Sequence, residues 1–288
     1  MTYFKNIIVV FILAIVKLTI AEEIIIPLGV GSGNDLIARL ITSSSSTPFI
    51  VTNKPGGDGI IAIQYTISKP GSVLLATESI TTTNRITIHN YEQDYYLKLQ
   101  PVIAVARFPL SISIKSESQF RSLDELVAYA KRNPGKLNVG YITQFQLSFI
   151  KSFEKTYHIK LTVIPYKSAP IIDLLNNNID LIVEPTTTVI PLASQVKILY
   201  IAGDQPIVKI NKSLLSNQKL GTWYVHIGLL TSGATSYLDS AKLNAEFNHL
   251  LTNPTIRQQI EKNGIEVLGG SITDYKNIIS VNLEKQKK

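Results

Sequence analysis

Glu23-Ile24-Ile25-Ile26-Pro27-Leu28-Gly29-Val30-Gly31-Ser32-Gly33-Asn34-Asp35-Leu36-Ile37-Ala38-Arg39 is the stretch whose reading decides the fold. Its opening apolar run has the look of a buried strand, and Leu36, Ile37, Leu40 and Ile41 are spaced to mark one face of a helix. A strand therefore feeds a helix through a glycine loop. Gly29, Gly31 and Gly33 are expected to let the backbone take positive φ and to leave no Cβ in a ligand's way, while Asn34 or Asp35 is expected to cap the helix. Such a helix end carries about half a positive charge, which suits a carboxylate or a phosphate. A plain structural turn is the competing reading of the same residues. A dinucleotide-binding reading fits less well, because the third glycine position of that fingerprint holds Asn34.

Working outward, the 288 residues are enough for one large or two ordinary α/β domains, and a hydrophobic content of 45% supplies a sizeable core. Met1 to Ala21 carries Lys5, then the apolar run Ile7 to Val16, then Thr19-Ile20-Ala21 with small residues where a signal peptidase reads. This predicts an exported, periplasmic chain cleaved near Ala21; an uncleaved anchor is the alternative. The run is shorter than the roughly 20 residues of a membrane-spanning helix, and no later run reaches that length, so the mature chain is expected to be a soluble monomer. With no cysteine, a lipoprotein anchor, a disulfide scaffold and a thiol nucleophile are all excluded. Without Lys5 and Lys17 the chain keeps 26 basic and 21 acidic residues, a balance of +5. That favours anionic ligands mildly. Nucleic acid is not expected as a partner, since the lysines are dispersed and only Lys285 to Lys288 cluster, as a solvated tail.

Further along, Ser43 to Ser46 breaks the first helix, Phe49-Ile50-Val51 reads as a strand, and Asn53-Lys54-Pro55-Gly56-Gly57-Asp58-Gly59 is strong turn chemistry. Ile60 to Ile67 reads as a helix and Val73-Leu74-Leu75-Ala76 as a strand. Alternation of strand and helix signals continues to Ile201, which predicts a parallel sheet with helices on both faces. Ser122 and Glu125 stand at capping-box spacing before the stripe Leu123, Leu126, Val127 and Ala130.

The ordered series Gly31-x-Gly33-x-Asp35-x-x-Ala38-Arg39, Val51-x-Asn53-Lys54-Pro55-Gly56-Gly57-x-Gly59 and Leu74-Leu75-Ala76-Thr77 resembles the opening of the Bug receptors, the substrate-binding proteins of tripartite tricarboxylate transporters. Gln100-Pro101-Val102-Ile103-Ala104-Val105-Ala106-Arg107, Asn133-Pro134-Gly135-Lys136-Leu137-Asn138, Pro165-Tyr166-Lys167, Ile179-Asp180-Leu181, Trp223, Asn253-Pro254-x-x-Arg257 and Gly264-Ile265-Glu266 continue the likeness through the mature chain. The resemblance implies a two-domain periplasmic-binding-protein (Venus flytrap) fold, α/β, with mostly parallel sheets. Domain 1 is expected over 22–119 and 223–288, domain 2 over 120–222, with the ligand cleft between them.

The resemblance further implies that a carboxylate is held by two strand-turn-helix loops, mainly through backbone N–H groups. Leu28, Gly29, Val30, Gly31, Ser32, Gly33, Asn34 and Asp35 are the matching first loop, with Thr77 and Ser79 beside it. In the second domain the family's glycine- and serine-rich turn is replaced by Gly140-Tyr141-Ile142-Thr143-Gln144. Tyr141, Ile142, Thr143 and Gln144 are the candidates there, and Thr143 and Gln144 can still donate. Tyr166 and Glu184 complete the expected site. Asp35 can equally be a helix cap or a partner of Arg39. Asp180 and Glu184 flank a strand end, each either a solvated carboxylate or a selector of an amino group. The expected partners are thus a small carboxylated solute and, transiently, membrane transporter subunits, with no cofactor and no metal. A ligand sensor or scaffold on the same fold is the alternative. Catalysis is not expected: His89, His158, His226 and His249 lie far apart without metal-ligand spacing, and no G-x-S-x-G occurs.

Overall fold

The computed structural model describes residues 22–43, 45, 47–83, 95–204 and 218–287. The expected signal segment and His89 lie outside the described residues. The chain opens with β1 (Glu22–Ile26), α1 (Gly33–Thr42), β2 (Phe49–Asn53), α2 (Ile60–Ser68) and β3 (Ser72–Ala76). A π-type turn (Ser79–Thr83) follows, and then β4 (Leu99–Lys115), a strand of 17 residues. Next come α3 (Leu123–Arg132), β5 (Asn138–Tyr141), α4 (Gln144–Tyr157), β6 (Thr162–Pro165), α5 (Ile171–Leu175), β7 (Leu181–Pro185), α6 (Thr186–Val189) and β8 (Val196–Ile201). The carboxyl-terminal part adds β9 (Tyr224–Ser232), α7 (Tyr237–Leu251), α8 (Pro254–Glu261), β10 (Glu266–Val267) and α9 (Ile272–Lys287).

Period-two alternation sorts the first strands onto two faces. Ile24, Ile26, Val73 and Leu75 join the core under α1, α7 and α8, whereas Ile25, Leu74 and Ala76 join the one under α2 and α9. A strand buried on both faces reads as a continuous apolar run, as Ile24-Ile25-Ile26 does. Each such side chain, fully buried, stabilises the fold by roughly 1.5–3 kcal/mol. On α1 the buried face is Ile37, Ala38 and Ile41, while Leu36 is 46% exposed, so the expected stripe is rotated by one residue.

Strand order is β2-β1-β3-β9-β4-β7-β5-β6, with β8 and β10 also paired to β4. The expected parallel arrangement holds for β2-β1-β3 and for β6-β5-β7; β9 and β4 run antiparallel to their neighbours. Two sheets thus share β4, whose first part pairs with β9 and whose last part pairs with β7 and β8. Register shifts near Pro101, where proline has no N–H to give the ladder. The second sheet is packed by Leu123, Leu126, Val127 and Ala130, the stripe read in sequence, together with Phe145, Phe149, Phe153 and Trp223. The Trp223 ring lies 5.5 Å from both Phe145 and Phe149, and its Nε1 donates to the Leu220 carbonyl at 3.0 Å. At α3, Ser122 Oγ accepts from the Glu125 amide as expected, but Glu125 reaches back to the Arg121 amide, one residue beyond the cap, so the box is not closed.

Candidate functional site

The carboxyl ends of parallel strands in an open α/β sheet are where loops gather ligand-facing groups. Residues 27–32 leave β1 there, residues 77–79 leave β3, residues 142–143 leave β5, and residue 186 follows β7. The first-loop residues fall into two sets. Leu28, Gly29, Val30, Gly31 and Gly33 are exposed, Val30 at 78%, whereas Asn34 and Asp35 are buried and Ser32 is half-buried.

Neither Asn34 nor Asp35 caps α1, contrary to expectation. Ser32 is the cap, its Oγ accepting from the Asp35 amide at 3.3 Å. Asn34 instead donates Nδ2 to the Leu75 carbonyl at 3.2 Å, tying the loop to β3. Asp35 turns back on its own loop: Oδ2 accepts from the Gly31 amide at 2.9 Å and Oδ1 from Arg39 Nε at 3.1 Å. The Arg39 hydrogen bond, with that of Gly31, holds the Asp35 carboxyl below the usual aspartate range. Arg39 and Asn53 are joined at 3.3 Å, and Asn53 donates to the Leu28 carbonyl at 3.0 Å. Only Gly31 of the three glycines has a positive φ, at 82°; Gly29 and Gly33 do not need glycine's left-handed freedom. What they share is space, since a Cβ at any of the three would meet nothing within 4 Å. The first N–H groups of a helix lack intrahelical partners, so this open, braced end of α1 presents donors.

The second loop is built differently. Thr143 is the cap of α4, and Gln146 Oε1 accepts from the amides of Ile142 and Thr143 at 2.7 Å each and from Thr143 Oγ1 at 3.3 Å, closing a capping box. Thr143 therefore spends its donors at home, Gln144 is exposed, and Tyr141 and Ile142 are half-buried. The signal Thr143-x-x-Gln146 was in the sequence and points to this closure. Gly140, under the loop, has no room for a side chain: a Cβ would lie 2.8 Å from Pro170 Cγ and 2.9 Å from Ile179 Cδ1.

Glu184 is neither solvated nor exposed. It is 2% exposed at the end of β7, burial pushes its carboxyl up to about 8, and a hydrogen bond from Gln146 opposes that rise. Asp180 is half-buried, with Oδ2 accepting from the Asn138 amide at 2.7 Å, so it braces β5. Tyr166 donates to Asp173 at 2.7 Å. Thr77 is half-buried, its carbonyl accepting from the Ile80 and Thr81 amides; Ser79 opens the π-type turn, which packs against α4 and α9. The structure thus brings the β3 end to the helix that follows the second loop.

Sequence reasoning missed Glu78. It is buried between Thr77 and Ser79, accepting from the His226 amide at 2.5 Å and from Asn282 Nδ2 at 2.8 Å, with His226 Nδ1 at 2.9 Å. Burial raises its carboxyl. Its partners lie 148 and 204 residues away, so no local signal announces them. Nearby, Arg107 ties three elements: it bonds Glu266 at 2.8 Å, lies 3.6 Å from Asp204 and stacks 4.0 Å over the Tyr224 ring. Among the described residues no cluster of three or more metal-ligating side chains occurs.

This arrangement is the periplasmic-binding-protein fold. An R. palustris protein solved with adipate matches it with a TM-score of 0.81 at 21% identity, covering 93% of this chain and 95% of that one. The Rhodopseudomonas palustris protein MatC with bound malate matches at 0.75 and 15%, covering 92% and 97%. Residues 37–288 match the model of the tripartite tricarboxylate transporter family receptor, and the chain belongs to that family. The match begins inside α1, past the first loop, so membership rests on the rest of the chain. A Pseudomonas sp. (strain P51) relative, described as a UPF0065 protein in the tcbD-tcbE intergenic region, is 24% identical over 285 residues, spanning 92% of this chain and 83% of that protein. The family is one of solute-binding receptors.

Proposed function

We propose that this receptor captures a small carboxylated organic solute at the open end of α1 and hands it to a tripartite tricarboxylate-type membrane transporter. The observation that carries the reading is the first loop: a braced helix N-terminus with room at Gly29, Gly31 and Gly33. Backbone donors fixed in advance bind an anion without paying for their own ordering, and each charge-assisted bond gains from exclusion of water. The adipate and malate bound by the two structural neighbours are of the same chemical class.

Under this reading Leu28 to Gly33, Thr77, Ser79, Tyr141, Gln144 and Glu184 line the ligand, while Asn34, Asp35, Ile142, Thr143 and Tyr166, expected in the same set, keep their own hydrogen bonds and hold the loops in shape. The two carriers are a domain of 22–119 plus 223–288 and a domain of 120–222, closing on the solute. Residues 1–21 act as a cleaved export signal that delivers a monomer to the periplasm; no helix among the described residues is long and apolar enough to cross a membrane. The protein acts by binding and not by catalysis.

A thermal-shift screen of the chain from Glu22 tests the reading. A ligand selective for the folded state at 100 times its dissociation constant adds about 2.7 kcal/mol, which registers as a higher melting temperature. Carboxylates should give the shifts; shifts from sugars or simple cations alone would overturn the proposal.

A further inference from the structure

At the end of β7 two polar atoms are buried without a hydrogen-bond partner among the described residues: Glu184 Oε1 and Thr186 Oγ1. Their residues are 2% and 0% exposed. A buried polar group left unpaired costs on the order of 1–3 kcal/mol, so two of them two residues apart are a feature that folding alone does not reward. Register places them beside the second loop, because β5 and β7 are paired through Gly140 and Ile182. Gln146 joins the two, its Oε1 held by the Ile142 and Thr143 amides and its side chain bonded to Glu184.

The loop amides that would otherwise meet a second carboxylate are therefore already taken. What remains on this side is an oxygen of a carboxyl group and a hydroxyl. From β4 the group facing Glu184 is Ser111, whose Oγ donates to the Glu184 carbonyl at 2.9 Å; from α4 it is Gln146. Burial raises the carboxyl and Gln146 opposes that rise. We propose that Glu184 and Thr186 form a subsite for the ammonium group of the solute, so that the receptor takes an amino-carboxylic acid, with its carboxylate at the first loop and its amino group at Glu184. This rests on the carboxylate reading above and names the other end of the same ligand.

An ammonium supplies up to three donors to a site that holds acceptors, and its charge offsets the desolvation that keeps the Glu184 carboxyl protonated near neutral pH. Binding then releases the Glu184 proton to solvent. Both atoms are shielded in this arrangement, so the solute enters by displacing what covers them.

The test is titration calorimetry of the chain from Glu22 with 4-aminobutyrate, 6-aminohexanoate and glutamate. Succinate, adipate and glutarate serve as matched acids without the amino group. At least one amino acid should bind more tightly than its matched acid. Its affinity should rise by up to about tenfold per pH unit between pH 6 and 7 and level off near pH 8, with proton release visible as a dependence on buffer ionisation enthalpy. Glu184→Gln should weaken that binding by at least about thirtyfold and remove the pH dependence, and Thr186→Val should weaken it by about three- to tenfold. Melting curves of both variants confirm folding. Tighter binding of the diacids, with affinity falling above pH 8, or an unchanged amino-acid affinity in Glu184→Gln, would overturn the subsite while leaving the carboxylate receptor standing. Binding of neither series would overturn both.

Discussion

The two strand-turn-helix loops share a topology and differ in the room left beside them. In the first, Asp35 accepts from the Gly31 amide, the Gly29 carbonyl from the Ser32 amide and the Leu28 carbonyl from Asn53, and the glycines leave open space. In the second, Gln146 takes the Ile142 and Thr143 amides and Gly140 is packed under Pro170 and Ile179. Each loop therefore ties two amides to itself, Gly31 and Ser32 in the first and Ile142 and Thr143 in the second, and what separates them is the space that Gly29, Gly31 and Gly33 leave over the first. Having the motif is not enough; what matters is the room left beside it.

The largest effect that would sharpen this contrast concerns its two carboxylates, whose pH signatures run in opposite directions. Glu184 has a folded pKa raised from 4.5 to about 8, so its contribution is favourable below pH 4.5 and is lost as pH rises towards 8. At 1.36 kcal/mol per unit the loss approaches about 4 kcal/mol by pH 8. Glu184→Gln should accordingly match wild type near pH 4.5 and become progressively the more stable protein towards pH 8, as read by urea unfolding. A constant difference would show that the carboxyl is solvated.

Next in size is a paired glycine exchange. Gly140→Ala forces Pro170 or Ile179 to move and should cost about 1–3 kcal/mol of stability. Gly33→Ala meets no atom and sits inside α1, so stability should hold or rise slightly, while carboxylate affinity falls by about tenfold as the new methyl enters the ligand's space. Equal losses of stability in both would break the distinction between an open and a packed loop.

The smallest effect is at Asp35. Its folded pKa is lowered, so its stabilisation is present above the unfolded value of about 3.9 and lost as pH falls through the folded one. Asp35→Asn should cost about 1 kcal/mol at pH 7, with the gap closing in acid. A gap that persists below pH 3 would assign the effect to packing and not to the charge.

Local chemistry carried the secondary structure. Ile24-Ile25-Ile26, the stripe on α3, and the turn at Pro55-Gly56-Gly57 act through neighbours within a few residues, so periodicity and glycine content expose them. The box at Thr143 and Gln146 is the same class of signal, and it opposes the expectation that Thr143 donates to a ligand. Side-chain roles at α1 were less legible. Which of Ser32, Asn34 and Asp35 caps the helix depends on what Leu75, Gly31 and Arg39 offer the other two, and that is set by packing against β3.

By itself the sequence determined that this is an α/β chain with a glycine loop ahead of its first helix and an ordered set of motifs that runs to its end. Tertiary structure alone decided that β4 and β9 cross antiparallel between the parallel groups, that Glu78 meets His226 and Asn282, and that Glu184 is buried. The physical reason is range. Propensity, capping and turn chemistry are energies between near neighbours in the chain, whereas burial, desolvation and the pairing of polar groups depend on atoms hundreds of residues apart, which come together only when the sheets are formed.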